Sequence, residues 1–94
     1  MKVVGADKIE HYALKHANSK SALESWLAEA RQAKWTQPQD IKNRYRSADF
    51  LSGNRVIFNI KGNHHRLVVK VRYQHGIVMI DWIGTHAEYD KKKF

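Results

Sequence analysis

The sequence predicts an α+β fold, with two N-terminal helices packed on one face of a small, mainly antiparallel sheet and a short C-terminal helix. Helical hydrophobic spacing is confined to the first half of the chain, whereas three β-rich segments separated by short turns occupy the second half. The only proline, Pro38, lies between the two halves. With 94 residues, the chain is expected to form one domain spanning residues 1–94.

The helical half contains two amphipathic segments. The first is predicted over residues 7–17, where apolar side chains follow helical spacing. The second is predicted over residues 21–34, and its start, Ser21-x-x-Glu24, matches the capping-box pattern. Proline disfavours helical backbone in the residue before it, so Pro38 is expected to end the helical half.

The second half predicts strands. Residues 55–60, 66–73 and 77–83 are rich in β-branched and aromatic side chains, and short glycine-containing turns separate them. Three strands joined in this way form an antiparallel meander. Residues 1–4 are a candidate edge strand, and residues 41–49 are expected to form a polar, basic connection between the halves, with a helical turn within it as an alternative.

Positive charge is concentrated in the second half. The formal net charge is +8, of which +7 belongs to residues 41–94. Such asymmetry favours a polyanionic partner, more often nucleic acid than membrane, although a generally basic, solvated surface would give the same total.

The strand over residues 66–73 shows how that charge is arranged. Its apolar set is expected to face the helices, and it consists of Leu67, Val69, Val71 and Tyr73. The alternate positions carry three cations, Arg66, Lys70 and Arg72, on the opposite face. This row of cations predicts a surface that contacts phosphates.

Several classes of protein are excluded or made improbable by composition. The sequence has no cysteine, which excludes disulfides, a thiol nucleophile and cysteine-ligated zinc. No apolar run approaches the ~20 residues of a membrane helix, and the first residues lack the apolar stretch of a secretory signal, so a cytoplasmic protein is expected. No metal-ligand spacing or phosphate-binding glycine loop is present, and no metal or cofactor is expected.

The segment after the third strand carries the most specific chemistry. Thr85-x-x-Glu88 matches a capping box, which places His86 in the first turn of a short helix with Tyr89 on the same side. A helix N-terminus favours a neutral imidazole that can accept a proton, although a purely structural histidine is an alternative. Arginine, lysine, histidine and tyrosine suit RNA cleavage by the RNA's own 2′-hydroxyl.

Two separated motifs carry a resemblance to a known family. The first runs from Ser47 to Leu51 and continues through the segments 55–63 and 66–68, and the second is Ile83-Gly84-Thr85-His86-Ala87-Glu88-Tyr89-Asp90. In this order they resemble the HigB family of toxins from bacterial type II toxin–antitoxin systems. The likeness extends over essentially the whole chain.

The resemblance implies a RelE-like fold and a metal-independent mRNA endonuclease, commonly acting on translating ribosomes. It also implies neutralisation by a HigA-type antitoxin with a helix-turn-helix domain. The family positions carried over as the active-site neighbourhood are Gly62-Asn63-x-x-Arg66 and Thr85-His86-x-Glu88-Tyr89. Asp81 departs from the family pattern, in which a basic residue is expected nearby.

We therefore expect Arg66 to stabilise the phosphorane, His86 to act as base or acid, and Tyr89 or Lys70 to provide or orient the other proton. Phosphate or RNA contacts are expected from Arg55, Lys61, Asn63, Arg72, Lys91, Lys92 and Lys93. Trp82 would stack on a base if it faced the open side of the sheet, but a core position is favoured. Two other classes remain open: a non-catalytic RNA- or ribosome-binding module, and an adaptor whose basic sheet binds an acidic protein.

Overall fold

The computed structural model describes residues 1–92 and 94 and has an α+β architecture with a five-stranded mixed sheet. The sheet order is β1-β5-β4-β3-β2. The strands are β1 (Lys2–Val4), β2 (Asp49–Leu51), β3 (Arg55–Ile60), β4 (His65–Arg72) and β5 (Ile77–Thr85). The helices are α1 (Ala6–Lys15), α2 (Lys20–Gln32), α3 (Pro38–Arg44) and α4 (His86–Lys91). None of the helices in these residues is long and apolar enough to cross a bilayer.

The start of α2 differs from the predicted capping box. A 3₁₀ turn over Ala17–Ser19 leads directly into the helix, so α2 begins at Lys20 with Ser19 as its N-cap and no side-chain cap. The Ser19 hydroxyl instead donates to the carbonyl of His16 at 2.6 Å. The Ser21-x-x-Glu24 prediction is therefore wrong, because its serine already lies inside the helix.

Pro38 begins a helix rather than ending the helical half. It occupies the first turn of α3, where its missing N–H costs no intrahelical hydrogen bond. Residues 41–44 of the predicted connection are therefore helical, in agreement with the alternative of a helical turn there. Glu29 of α2 fixes α3 by accepting hydrogen bonds from Arg44, at 2.5 Å, and from the Tyr45 hydroxyl. The hydrogen bond from Tyr45 is the main cause that lowers the pKa of Glu29.

The sheet contains the predicted meander and two further strands. β3 has the predicted bounds, and β4 is shifted by one residue from its prediction. The candidate edge strand at the N terminus is confirmed as β1, which pairs parallel with β5 from Lys2 opposite Ile77 to Val4 opposite Met79. β2 was not predicted, and it adds an antiparallel strand at the far edge.

The core confirms the alternation predicted for the central strand. Leu67, Val69 and Val71 of β4 are fully buried in one hydrophobic cluster. The cluster also contains helix residues, including Ile9 of α1 and Trp26 of α2. Arg66, Lys70 and Arg72 occupy the alternate positions of β4. We call the side of the sheet to which these cations belong the open face.

A β-bulge interrupts the pairing of β4 with β5. Val68 pairs with Trp82 and Val69 with Ile80, so Asp81 is the extra residue. In a strand without a bulge, Trp82 would lie on the same face as Ile80. Because Asp81 is unpaired, Trp82 and the residues after it lie on the face opposite to the one that simple alternation predicts. Trp82 therefore belongs to the open face and Ile83 packs against the core cluster, which corrects the expectation that Trp82 is a core residue.

Candidate functional site

Arg66 and His86 meet at one end of the open face. Arg66 is the second residue of β4 and pairs across the sheet with Gly84, two residues before α4 begins at His86. The backbone N–H of His86 also donates to the carbonyl of His64 at 3.1 Å. These contacts bring Nη2 of Arg66 to 3.0 Å from Nε2 of His86.

The contacts of His86 define which nitrogen carries its proton. A guanidinium offers only donors, so Nε2 of His86 accepts the hydrogen bond from Arg66. The proton of the neutral ring then lies on Nδ1, which is 3.2 Å from Oδ2 of Asp90. Asp90 thus holds the imidazole with the Nε2 lone pair directed at Arg66. Sequence reasoning missed Asp90, although its spacing of four residues from His86 places the two on one helix face.

Tyr89 completes the group from the same turn of α4. The guanidinium carbon of Arg66 lies 4.5 Å from the centre of the Tyr89 ring, within cation–π range. Arg66 therefore contacts an imidazole and a phenol ring at once. The structure brings together three of the four side chains that we predicted to be catalytic.

The predicted capping box at the start of α4 is confirmed, and it orients these side chains. Thr85 Oγ1 accepts from the N–H of Glu88 at 3.1 Å, and Glu88 Oε1 accepts from the N–H of Thr85 at 2.8 Å. The hydrogen bonds from Thr85 lower the pKa of Glu88, so this carboxylate keeps its capping role well below neutral pH. A helix of only six residues is fixed in this way.

Two buried polar atoms on paired residues have no hydrogen-bond partner among the described residues. They are Nε of Arg66 and Oδ1 of Asn59, and Asn59 pairs with Arg66 across β3 and β4. Unsatisfied buried polar atoms are uncommon in folded proteins, and a catalytic role is one of the reasons for which they are retained. Arg66 therefore retains an unused donor beside His86.

The fourth predicted catalytic residue lies apart from this group. Lys70 is four residues beyond Arg66 on β4, about 13 Å along the strand. It pairs with Arg55 of β3 and Met79 of β5. Arg55 donates to the carbonyl of Ser52 at 3.0 Å.

The remaining predicted RNA contacts are spread around the sheet. Arg72 is exposed at the far end of β4, and Lys61 and Asn63 are exposed in the β3–β4 turn. Lys91 is the exposed last residue of α4, and Lys92 Nζ lies 5.9 Å from the centre of the Trp82 ring. Lys93 falls outside the described residues.

Asp81, the departure from the family pattern, is exposed in the bulge. It lines a cleft of about 400 Å³ that also contains Lys8 and Lys15 of α1. It forms no ion pair with any residue in the described part of the chain. Asp81 thus places a negative charge beside α1, at the bulge in β5.

A second histidine is buried next to Arg66 and has a structural environment. Nδ1 of His65 lies 2.7 Å from the Tyr12 hydroxyl, and Nε2 lies 3.1 Å from Oδ1 of Asn18. Burial, followed by the charge of His16, lowers the pKa of His65. Burial also raises the pKa of Tyr12 to about 12. This cluster connects α1 to the first residue of β4.

Two comparisons with known proteins bear on this site. A family model described as HigB_toxin, RelE-like toxic component of a toxin-antitoxin system, matches residues 19–92. A search of curated proteins found no match. The matched residues begin after β1 and α1 and include Arg66, His86, Tyr89 and Asp90.

Proposed function

We propose that this chain, which belongs to the HigB family of RelE-like toxins of toxin–antitoxin systems, is a metal-independent endoribonuclease that cleaves mRNA on translating ribosomes. The observation that carries the proposal is the 3.0 Å contact between Nη2 of Arg66 and Nε2 of His86 on a basic sheet face. A donor for phosphate oxygens and a proton acceptor lie side by side. A merely structural histidine would not need its lone pair directed at an arginine on an open surface.

His86 acts as the base in this proposal. As the scissile phosphate binds, Arg66 moves from the imidazole to the non-bridging oxygens, and Nε2 becomes free to accept the 2′-hydroxyl proton. The 2′-oxygen forms a bond to phosphorus while Arg66 stabilises the charge of the phosphorane. Asp90 keeps the other proton on Nδ1 and stabilises the imidazolium as it forms.

Tyr89 is the better candidate for the acid. When the bond from phosphorus to the 5′-oxygen breaks, that oxygen must receive a proton, and the cleavage leaves a 2′,3′-cyclic phosphate and a 5′-hydroxyl. The ring of Tyr89 already contacts Arg66, whereas Lys70 lies about 13 Å along the strand. We therefore assign proton donation to Tyr89 and phosphate binding to Lys70.

The rest of the open face binds the RNA backbone, and the family implies an antitoxin partner. Phosphate contacts come from Arg55, Lys61, Asn63, Arg72, Lys91, Lys92 and Lys93. We infer that α1 and α2 together cover the opposite face, because Ile9 and Trp26 share the core cluster with Leu67.

The partner that we propose is a HigA-type antitoxin with a helix-turn-helix domain.

The test compares wild type with His86→Gln and Arg66→Ala after brief induced expression, by mapping mRNA 5′ ends and determining their chemistry. We expect new 5′-hydroxyl ends within coding regions for wild type. Loss of the base is expected to reduce cleavage by about 10²- to 10⁴-fold, and loss of the phosphate donor by about 10²- to 10³-fold.

Matched controls are His75→Gln and Arg31→Ala, which change exposed residues away from the site and should cleave like wild type. Circular dichroism of each purified variant checks that it folds. Full cleavage by both site variants would refute the assignment of residues. New ends that carry a 5′-phosphate would refute the mechanism, and the absence of wild-type cleavage in the presence of ribosomes would refute the enzyme.

A further inference from the structure

Three aromatic side chains form a second cluster on the open face, outside the hydrophobic core. Trp82, Tyr89 and Phe94 come from β5, α4 and the segment after α4, and none belongs to the core cluster. The Tyr89 and Phe94 rings are stacked, with centres 5.4 Å apart and planes 18° apart. The centre of the Trp82 ring lies 6.1 Å from the centre of the Tyr89 ring and 5.7 Å from that of the Phe94 ring.

The backbone of β5 determines where Trp82 lies. The Asp81 bulge directs Trp82 to the open face, and Gly84 provides space for the indole. A β-carbon at position 84 would lie only 2.5 Å from two carbons of the six-membered ring of Trp82. The indole therefore rests against the strand, close to the start of α4.

Cations adjoin both ends of this cluster. Arg66, which we propose contacts the scissile phosphate, stacks on Tyr89 at 4.5 Å. Lys92 Nζ lies 5.9 Å from the Trp82 ring. Flat aromatic surfaces between phosphate-binding cations are the combination with which proteins hold single-stranded RNA, because bases stack on the rings while the backbone meets the charges.

We propose that Trp82 and Tyr89 form a stacking site for one RNA base next to the scissile phosphate, and that Phe94 occupies this site in the free protein. The inference rests on the proposed function, since it concerns the substrate of the same site. The phenyl ring of Phe94 already lies nearly parallel to Tyr89, as a bound base would. Phe94 is 39% exposed, and its ring contacts Tyr89 and Trp82, the two side chains on which the base would stack in its place.

The test measures binding of a short oligoribonucleotide in which 2′-fluoro groups replace the 2′-hydroxyls, so that it cannot be cleaved. We expect Phe94→Ala to tighten binding by about threefold to tenfold, because the base no longer competes with an aromatic pair. Trp82→Ala should weaken binding by about fivefold to a hundredfold. Phe50→Ala is the matched control. Phe50 is also 39% exposed, but it pairs with the core residue Val56 and so lies on the face of the sheet opposite to the open face.

A second set of ligands identifies the base. Oligonucleotides with one abasic nucleotide at successive positions should include one for which neither Phe94→Ala nor Trp82→Ala changes affinity. Weaker or unchanged binding of Phe94→Ala to the intact oligonucleotide would overturn the proposal, as would equal effects on every abasic ligand. This binding assay needs no cleavage, so it can fail while the ribonuclease test succeeds, or succeed while that test fails.

Discussion

At the scale of residues, one helical turn provides most of the candidate site. The capping box predicted the position of His86 correctly, and the spacing of three residues predicted that Tyr89 shares its side. The sequence could not show which side chains contact His86 and Tyr89. The contact from Arg66 depends on how β4 pairs with β5, a non-local property that no local pattern contains.

Asp90 provides a test of the proposed proton arrangement. We expect Asp90→Asn to lower the single-turnover cleavage rate about tenfold with KM unchanged, because the amide no longer holds the proton on Nδ1 of His86. The effect should be much smaller than at a buried catalytic triad, since the Asp90 side chain is 60% exposed.

The control for this variant is Asp81→Asn, which removes an equal charge without contacting the histidine. It is expected to leave the cleavage rate at least as high as in wild type. Equal losses in the two variants would indicate a general charge effect and contradict the positioning role of Asp90. Kinetics on a defined RNA with ribosomes present would distinguish these outcomes.

At the scale of elements, the sequence predicted where most strands lie but not all helix boundaries. The capping pattern at Thr85 was correct, whereas the same pattern at Ser21 was wrong because a 3₁₀ turn starts α2 earlier. Pro38 is compatible with both the end of one helix and the first turn of another. The contacts of Glu29 with Arg44 and Tyr45 bring α3 against α2, and these contacts are non-local.

The connection between α1 and β4 predicts a dependence of stability on pH. Burial lowers the pKa of His65 below 6.5, so the folded protein resists protonation that the unfolded chain accepts. The free energy of unfolding should therefore fall as the pH drops below about 6.5, and level off below the folded pKa. The charged or titratable groups around His65 are His16, His64, Lys61 and Glu88, with Tyr12 as its hydrogen-bond partner.

The variant His65→Gln removes this titration. At pH 7 we expect the free energy of unfolding of this variant to be lower than that of wild type by about 1–3 kcal/mol, because the hydrogen bonds of His65 with Tyr12 and Asn18 are disturbed. Between pH 7 and pH 5, the difference between the two proteins should shrink. Urea denaturation at both pH values measures this difference in the free energy of unfolding. A difference that stays constant or grows toward pH 5 would contradict the assigned role of His65.

At the scale of the whole molecule, the uneven charge of the sequence becomes a basic face. Alternation along β4 correctly separated Arg66, Lys70 and Arg72 from the core side chains. It could not show that Lys70 is remote from His86, because distance along a strand matters only once the position of α4 is known. The aromatic cluster was also missed, since the bulge reverses the side on which Trp82 lies.

The basic face should give RNA binding a steep dependence on salt. We expect Arg72→Ala to reduce the slope of log K against log salt by about 0.7, the value for one phosphate contact on a single strand. The loss of affinity should be similar for different RNA sequences. Lys34→Ala, which removes an exposed cation between α2 and α3, should leave the slope unchanged, and equal slopes for the two variants would contradict the phosphate role of Arg72.

The bulge gives this toxin, at Asp81, a position in its sheet that tolerates both substitution and deletion. Asp81 is one residue too many in the ladder, so the pairing of Ile80 with Val69 and of Trp82 with Val68 depends neither on its chemistry nor on its presence. Substitutions at position 81 are free to alter surface charge during evolution. Deletion of codon 81 would keep Ile80 opposite Val69 and Trp82 opposite Val68, so β5 would continue without a bulge and Trp82 and Ile83 would stay on their present faces.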